Sequence, residues 1–194
     1  MTFEIIRKSE LTTTTWSGGS TTQLAIYPKQ ASYAARNFVF RISTAKVEDQ
    51  TSEFTSLPGI SRVIMILEGE IVLNHENEYS KNLKKFETDF FKGEWKTTGI
   101  GKVIDFNLMT SDKAVGSIEG IFLQKKYTID FEVSNQVLGL YLHKGSLSIN
   151  NLNDEPINLE EGDFILLFKE VNQAIFNLKA IENCELIITK IDIQ

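Results

Sequence analysis

Polar side chains of a few selected types alternate with apolar ones along several short segments of this chain. Arg41 and Ser43 share one face of one such segment, and Asp105 and Asn107 share one face of another. Residues two apart on a β-strand point to the same side of a sheet, so these segments can bring their polar groups together. The chemistry that such a group of side chains would support is recognition of a small anion.

The polar residues on these faces are arginines and short hydrogen-bonding groups, without lysine or glutamate. Solvated faces usually carry lysine and glutamate, so the residue types favour a pocket. The fork of N–H donors on arginine matches the two oxygens of a carboxylate. The predicted ligand-binding residues are Trp16, Thr21, Gln23, Arg41, Ser43, Arg62, Asp105 and Asn107.

Roles within this set follow from side-chain chemistry. Asp105 could orient one arginine and leave the other for the ligand, while Gln23, Ser43 and Asn107 could bind an amide or formyl group. Trp16, beside a Gly-Gly turn, could close over the ligand or pack against the end of a barrel. The alternative for the whole set is that these faces look at solvent, as on any antiparallel sheet.

The elements that must position these residues are short strands separated by turns. No segment keeps apolar residues at helical spacing, so helix is a minor component. An apolar strand, a turn glycine and an alternating strand occur around Gly69 and again around Gly145, and both copies are followed by a Gly-acid pair. The pattern predicts an all-β chain of two consecutive barrels with little helix, residues 1–112 carrying the pocket and residues 113–194 forming a structural barrel.

Composition narrows the class of partner. The chain has 194 residues, a net charge of −6 and a sequence pI of about 5.1, which argues against nucleic-acid or anionic-membrane partners. Its one cysteine, Cys184, cannot form an internal disulfide, and no apolar run is long enough for a transmembrane helix or a signal peptide. We therefore expect a cytoplasmic protein, with a homodimer as one possible assembly.

Longer motifs resemble known families. Two copies of the strand–Gly–strand unit, one followed by Leu159-Glu-Glu-Gly-Asp163, resemble a bicupin of two jelly rolls. The first half also resembles the HutD/Ves family. The matching motifs are Trp16-x-Gly-Gly-x-Thr-x-Gln23, Phe40-Arg-Ile-Ser-x-Ala-x-Val47, Phe54-x-x-Leu-Pro-Gly-x-x-Arg62 and Asp105-Phe-Asn-x-Met109.

This resemblance implies a bicupin fold and, in bacteria, an association with histidine utilisation. It also implies a role, proposed for the family, in binding a small acid such as formylglutamate. The resemblance implies no particular reaction.

The metal ligands of catalytic cupins are not at their usual places. Such sites use histidines and a carboxylate because these bind divalent metals and leave open coordination positions. The carboxylate position, seven residues before the turn glycine, is Arg62 in the first half and Leu138 in the second. The second-motif histidine position falls on Ile104 and Gln173. The sequence therefore predicts no metal and no other cofactor, and Gln173 is the only polar residue at these positions in the second half.

The remaining reactive residues are predicted to be structural. We expect His75 to be a solvated loop residue and His143 to be a hydrogen-bonded residue of an apolar strand. Cys184 has no histidine near it in sequence and is not expected to act as a nucleophile.

Three functions are compatible with these residues. The first is a metal-independent cupin that binds a small, formylglutamate-like carboxylate and acts as a sensor or governor of histidine or amino-acid catabolism. The second is a metal-independent isomerase or hydrolase that uses Asp105 as a general acid or base. The third is a structural or protein-interaction cupin with no ligand. Whether the protein is an enzyme stays open.

Overall fold

The structure is a computed structural model that describes residues 2–169 and 174–194; Gln173 lies outside the described residues. Within them the chain forms strands and one 3₁₀ turn at Lys8–Glu10, which confirms the predicted all-β class. No helix among the described residues is long and apolar enough to cross a membrane. The strands are β1 (Thr2–Ile6), β2 (Thr12–Trp16), β3 (Gly19–Tyr27), β4 (Phe40–Val47), β5 (Thr51–Glu53), β6 (Ser61–Gly69), β7 (Ile71–His75), β8 (Tyr79–Leu83), β9 (Thr88–Lys92), β10 (Thr97–Ile100), β11 (Val103–Thr110), β12 (Ala114–Leu123), β13 (Thr128–Val133), β14 (Val137–Lys144), β15 (Ser146–Asn150), β16 (Ile157–Glu160), β17 (Phe164–Phe168), β18 (Ala174–Ala180) and β19 (Cys184–Ile193).

The chain divides into two compact units. The first unit comprises Thr12–Ile118 and Gln194, and the second unit comprises the described residues of 1–11 and 119–193. The first unit contains a six-stranded sheet, in the order β2-β3-β4-β11-β6-β9, and a four-stranded sheet, in the order β5-β10-β7-β8. The sheets associated with the second unit have the orders β1-β17-β14-β19-β12 and β13-β18-β15-β16.

This division differs from the predicted boundary between residues 112 and 113. Strand β1 pairs with β17 in antiparallel register from Thr2↔Phe168 to Ile6↔Phe164, so the chain begins in the second unit. Asp163 holds the following residues there, since its carboxylate accepts hydrogen bonds from the Lys8 amide (3.0 Å) and from Arg7 (2.7 Å). A local sequence pattern can predict a strand, but it does not predict which distant strand will pair with it.

Strand β6 occupies an inner position of the six-stranded sheet, between β11 and β9. Its central residues, Val63 to Leu67, are all apolar, and three of them are β-branched, which suits a buried strand. It ends at Gly69, whose φ of +83° is readily adopted only by glycine, and a Cβ there would collide with the carbonyl oxygen of Lys102. The turn glycine therefore fixes the end of the strand and with it the position of Arg62.

Antiparallel pairing places the polar residues of this sheet in rows. Met109 of β11 pairs with Arg41 on β4 and with Arg62 on β6, so both arginines lie in one row on either side of Met109. In the next row Asn107 pairs with Ser43. Since residues two apart share a face, these two rows lie on the same side of the sheet.

The neighbouring strand β3 brings two more predicted residues to this face. Gln23 pairs with Ser43 and Thr21 pairs with Ala45. A β-bulge between Gln23 and Ala25 then shifts the register, so that Ile26 pairs with Arg41. The simple alternation of the sequence therefore holds up to Gln23 and breaks beyond it.

The second unit has an apolar interior. Leu138, Leu140 and Leu142 of β14 are buried, together with leucine and isoleucine residues of the strands that pair with β14. These side chains form one continuous hydrophobic cluster. Leu138 thus occupies, within the second unit, the place that Arg62 occupies within the first.

Candidate functional site

A cavity of about 360 Å³ lies within the first unit. Its walls come from β2, β3, β4, β5, β6 and β11 and from the loop that contains Tyr33. The structure brings seven of the predicted residues to this one cavity, and they are Trp16, Thr21, Arg41, Ser43, Arg62, Asp105 and Asn107. The eighth, Gln23, does not line the cavity but contacts Arg41 from β3.

Arg62 is enclosed rather than directed into solvent, with 5% of its surface exposed. Its Nη2 donates to Asn107 Oδ1 at 3.3 Å, and its guanidinium carbon lies 4.9 Å and 5.1 Å from the ring centres of Phe54 and Phe91. The Nε atom is buried and has no hydrogen-bond partner. Among the described residues, no carboxylate forms an ion pair with this arginine.

Arg62 remains protonated although it is buried. Desolvation lowers its pKa to about 10, an effect that nearby Arg41 reinforces and that Tyr33 and Asp105 oppose. The group is therefore still a cation at neutral pH. A buried cation that is not neutralised by an ion pair carries an unmet desolvation penalty, which a bound anion would relieve.

Arg41 is buried beside it and also has neutral partners. Its Nε donates to Gln23 Oε1 at 3.0 Å, its Nη1 donates to Ser43 Oγ at 3.1 Å, and its guanidinium carbon lies 4.5 Å from the ring centre of Tyr33. Burial lowers the pKa of Arg41, although Tyr33 acts in the opposite direction. Gln23 and Ser43 thus position an arginine instead of being free to bind the ligand.

Asp105 is the one buried carboxyl group of the cavity wall, with 2% of its surface exposed. Burial raises its pKa to about 7, while the charge of Arg62 and a hydrogen bond from Asn107 act to lower it. Asn107 donates through Nδ2 to Asp105 and accepts from Arg62 through Oδ1. The predicted orientation of an arginine by Asp105 is therefore indirect, because the amide of Asn107 lies between the two groups.

Trp16 and Thr21 lie at the edge of the cavity. The indole Nε1 of Trp16 donates to Thr21 Oγ1 at 3.2 Å, and 42% of the tryptophan surface is exposed. A Cβ on Gly18 would come within 2.6 Å of the indole ring, so the ring lies directly against this glycine. The ring contacts the turn and also lines the cavity, and its closing over a ligand stays a prediction.

Several lining residues were not identified from the sequence. Tyr33 lies in a polar loop with no periodic pattern, and Ser52 and Glu53 lie on the short strand β5 within a charged segment. The Oγ atom of Ser52 is buried without a hydrogen-bond partner. Phe54 could have been found, because it opens the motif Phe54-x-x-Leu-Pro-Gly-x-x-Arg62 and its ring lies against Arg62 in the structure.

The prediction that His75 is a solvated loop residue is wrong. His75 ends strand β7 on the same face as Ile71 and Leu73, and 1% of its surface is exposed. Its Nδ1 lies 2.8 Å from Thr97 Oγ1 and its Nε2 lies 2.9 Å from Asp89 Oδ2. The alternation of this strand continues two residues further than its charged surroundings indicated.

The other two reactive residues lie in the second unit. His143 is buried, with Nε2 3.8 Å from Glu185 Oε2. Cys184 is buried, and its thiol donates to the backbone carbonyls of Ser146 and Glu182. Burial raises the pKa of the Cys184 thiol, which disfavours the thiolate form that a nucleophile requires.

The residues of the cavity do not fit a divalent metal. Where a metal-binding cupin places a carboxylate ligand, this chain has the guanidinium of Arg62. The described residues contain no group of three or more His, Cys, Asp or Glu side chains that could hold a metal ion. Two buried cations beside a single buried carboxyl group suit an anion instead.

The sequence is similar to a known family and to two curated proteins. The HutD family model matches residues 8–187. The chain is 32% identical over 110 residues to protein Ves of Citrobacter koseri, covering 54% of this chain and 55% of the relative, and 33% identical over 110 residues to protein Ves of Escherichia fergusonii with the same coverage. The chain thus spans about half the length of the curated relatives it matches.

Solved structures with low sequence identity share the fold. A conserved protein of unknown function from Pseudomonas aeruginosa has a TM-score of 0.86 at 20% identity, covering 99% of this chain and all of that one. HutD from Pseudomonas fluorescens has a TM-score of 0.76 at 18% identity with full coverage of both chains. The bacterial pirin YhhW of Escherichia coli, solved with nickel(II), has a TM-score of 0.71 at 9% identity, covering 97% and 98%.

These neighbours confirm an all-β fold of the cupin class. The HutD family model extends over nearly the whole chain, well beyond the segment matched by the Ves proteins. The chain therefore belongs to the HutD family.

Proposed function

We propose that this HutD family member binds a small carboxylate of the formylglutamate type in the cavity of the first unit. The observation that carries the proposal is Arg62, a buried cation that lines the cavity, has an unpartnered Nε and forms no ion pair with a carboxylate among the described residues. A carboxylate bound beside the guanidinium would supply the missing opposite charge.

The second arginine strengthens the anionic preference. Arg41 and Arg62 flank Met109 in one row of the sheet, and adjacent strands are about 4.8 Å apart, so their backbones are separated by roughly 10 Å. Their long side chains face the same cavity. Because the partners of Arg41 are the neutral Gln23 and Ser43, its positive charge also remains available to an anion.

Neutral parts of the ligand would meet hydroxyl groups. Gln23, Ser43 and Asn107 are occupied by the arginines and by Asp105, whereas Ser52 has a buried Oγ without a partner at the cavity wall. A cavity of about 360 Å³ lies within the range of small-molecule sites. Trp16 would cover the opening.

Isothermal titration calorimetry with a panel of formate, succinate, glutarate, urocanate and N-formylglutamate tests this proposal. Formate belongs in the panel as the smallest carboxylate, and the HutD structure from Pseudomonas fluorescens was solved in a formate condition. We expect heat of binding with at least one carboxylate. Absence of heat with all of them would contradict the proposal and favour a structural or interaction role.

Variants of arginine make the test specific. Arg62→Ala should leave the fold intact and weaken binding about 10- to 100-fold, the loss expected for a charged hydrogen bond of about 1.5–3 kcal/mol. Arg62→Lys should recover only part of the affinity, because lysine keeps the charge but lacks the fork of donors. Arg36 is an exposed arginine outside the cavity wall, so Arg36→Ala is the matched control and should bind as the wild type does.

A place in histidine catabolism is the biological part of the proposal, supported by the family. A protein that binds an acid formed during amino-acid breakdown without transforming it would act as a sensor or governor of that breakdown. Deleting the gene and following growth and metabolite levels on histidine as the nitrogen source tests this role. Unchanged growth and unchanged levels of carboxylate intermediates would contradict it.

Asp105 supports a second candidate function, acid–base catalysis on the same ligand. Burial raises the pKa of this carboxyl group to about 7, which is the range in which a general acid or base works best at neutral pH. In that case Asp105→Asn would abolish turnover while preserving substrate binding. Recovery of the chemically unchanged carboxylate after long incubation with the wild type would exclude catalysis on that compound.

A further inference from the structure

We propose that the cavity takes up its carboxylate together with one proton, which Asp105 receives, so that the protein responds to the anion and to pH jointly. The inference rests on the proposed carboxylate binding and adds a second, smaller ligand to it. Its basis is the position of Asp105 in the same cavity as Arg62 and the limited hydrogen bonding of its carboxyl group.

Few hydrogen-bond donors stabilise the ionised form of Asp105. Among the described residues its one hydrogen-bond donor is Asn107, which bonds to Oδ1. The side-chain amide of Asn107 also accepts a hydrogen bond from Arg62. Arg62 and Asp105 are therefore linked through Asn107 and not by a direct hydrogen bond. Oδ2 receives no donor from the described protein, and an ionised Asp105 would depend on the more distant charges of the cavity.

The elements packed around Asp105 contribute the following charged and titratable groups. On its own strand β11, the flanking residues of the same face are Val103 and Asn107, which do not titrate. Strand β6 supplies Arg62, strand β4 supplies Arg41, the loop after β3 supplies Tyr33, and strand β5 supplies the exposed Glu53 at the cavity edge. The residues that pair directly with Asp105 are the uncharged Ala45 and Ile66.

A bound anion changes this balance in one direction. Arg62 lowers the pKa of Asp105, and burial raises it to about 7. A carboxylate bound at Arg62 would offset that cation and add a second negative charge inside the same cavity, where Asp105 is already buried. Two carboxylates that share such a site repel each other, and one of them takes a proton.

The sign of the linkage follows from these states. Well below pH 7 the free protein already carries the proton, so the affinity does not depend on pH. Above pH 7 the proton must be taken up on binding, and the association constant falls by up to about tenfold for each further pH unit. Proton and anion therefore favour each other, and rising pH releases the ligand.

Calorimetry with N-formylglutamate at pH 6, 7 and 8 tests the coupling, since the carboxyl groups of this compound are ionised throughout this range. Titrations at each pH in two buffers of different ionisation heat count the protons that are taken up. The expected result is an uptake that rises toward one proton at pH 8, with a parallel loss of affinity. In Asp105→Asn the uptake should vanish and the affinity should be independent of pH.

The outcomes separate this inference from the proposed function. Binding at all three pH values without proton uptake would overturn the inference and leave carboxylate binding intact. Absence of binding at every pH, with this compound and with the other carboxylates of the panel, would overturn both. Glu53→Gln is the control for the other carboxyl group of the cavity, and proton uptake that persists in Glu53→Gln but disappears in Asp105→Asn would assign the proton to Asp105.

Discussion

The two units of this chain place opposite kinds of residue at the same point of a similar strand. Arg62 stands seven residues before the turn glycine Gly69, and Leu138 stands seven residues before Gly145. Both glycines have a positive φ, +83° and +90°, and at both a Cβ would collide with a backbone carbonyl oxygen. The scaffold around the turn is therefore shared, while the side chain that it positions is a buried cation in one unit and a buried leucine in the other.

This difference separates residues that stabilise a fold from residues that serve a site. The second unit shows that leucine at this point packs into a continuous apolar cluster. The first unit instead buries Arg41, Arg62 and Asp105, although removing charges from water costs several kcal/mol for each ion. We infer that the polar interior of the first unit lowers its stability and is retained for ligand binding.

Making the second unit resemble the first should have the largest effect. Leu138→Arg would place an unpaired charge in a closed apolar core and should lower the free energy of unfolding by roughly 3–5 kcal/mol, or prevent folding. Urea denaturation of the purified protein measures the change. Leu138→Met conserves the volume and should cost less than about 1.5 kcal/mol. A fully stable Leu138→Arg protein would show that the second interior can also accept a cation.

The buried acid of the first unit should make stability depend on pH. The carboxyl group of Asp105 titrates near pH 3.9 in the unfolded chain, and burial raises its pKa to about 7 in the folded protein. The folded state thus binds more protons between these values, and the contribution of Asp105 to stability is complete below about pH 4 and is lost as the pH rises to 7.

Asparagine imitates the protonated form of this acid. Asp105→Asn should therefore raise the free energy of unfolding at pH 8 by about 2–4 kcal/mol relative to the wild type, and should change it little at pH 4. Urea denaturation at the two pH values measures both differences. An equal effect at both would contradict the raised pKa and remove one contrast between the units.

Making the first unit resemble the second should separate binding from stability. Arg62→Leu installs the residue found at the corresponding point of the second unit, and it should weaken carboxylate binding about 10- to 100-fold. The melting temperature should stay the same or rise, because exchanging a buried charge for an apolar group is often neutral or stabilising. A large fall in melting temperature with unchanged affinity would assign Arg62 to the fold instead of the site.

The contact of Phe54 with Arg62 should contribute the least to carboxylate affinity. Phe54 lies 4.9 Å from the guanidinium and also packs against the apolar core. Phe54→Leu keeps an apolar side chain but removes the cation–π contact, which is worth about 0.5–1 kcal/mol, so the affinity should fall only a few fold. Calorimetry with the same carboxylate measures this change. A loss as large as that of Arg62→Leu would mean that Phe54 contacts the ligand itself.

The sequence identified most of the candidate site because strand alternation is a local property. Arg41 and Ser43, or Asp105 and Asn107, share a face whichever strands lie beside them. Their gathering around one cavity was expected from residue type and is present in the structure. What alternation could not supply was the pairing order of the strands or the bulge after Gln23, which depend on contacts distant in sequence.

The errors have the same origin. The charged neighbours of His75 predict a loop, although tertiary packing continues strand β7 through this residue. The predicted boundary places the first eleven residues in the first unit, but β1 pairs with β17. Tyr33 reaches the cavity from an irregular loop, where no periodicity marks a side chain as inward-facing.

The central claim is that Arg62 holds the anionic group of a ligand. A crystal structure of the protein grown with millimolar N-formylglutamate tests it most directly. We expect density for a carboxylate in the cavity, within hydrogen-bonding distance of the Arg62 guanidinium, and the loss of that density in Arg62→Leu crystals grown under the same conditions. A cavity that holds only water in the wild type, or a carboxylate bound elsewhere with Arg62 untouched, would contradict the claim.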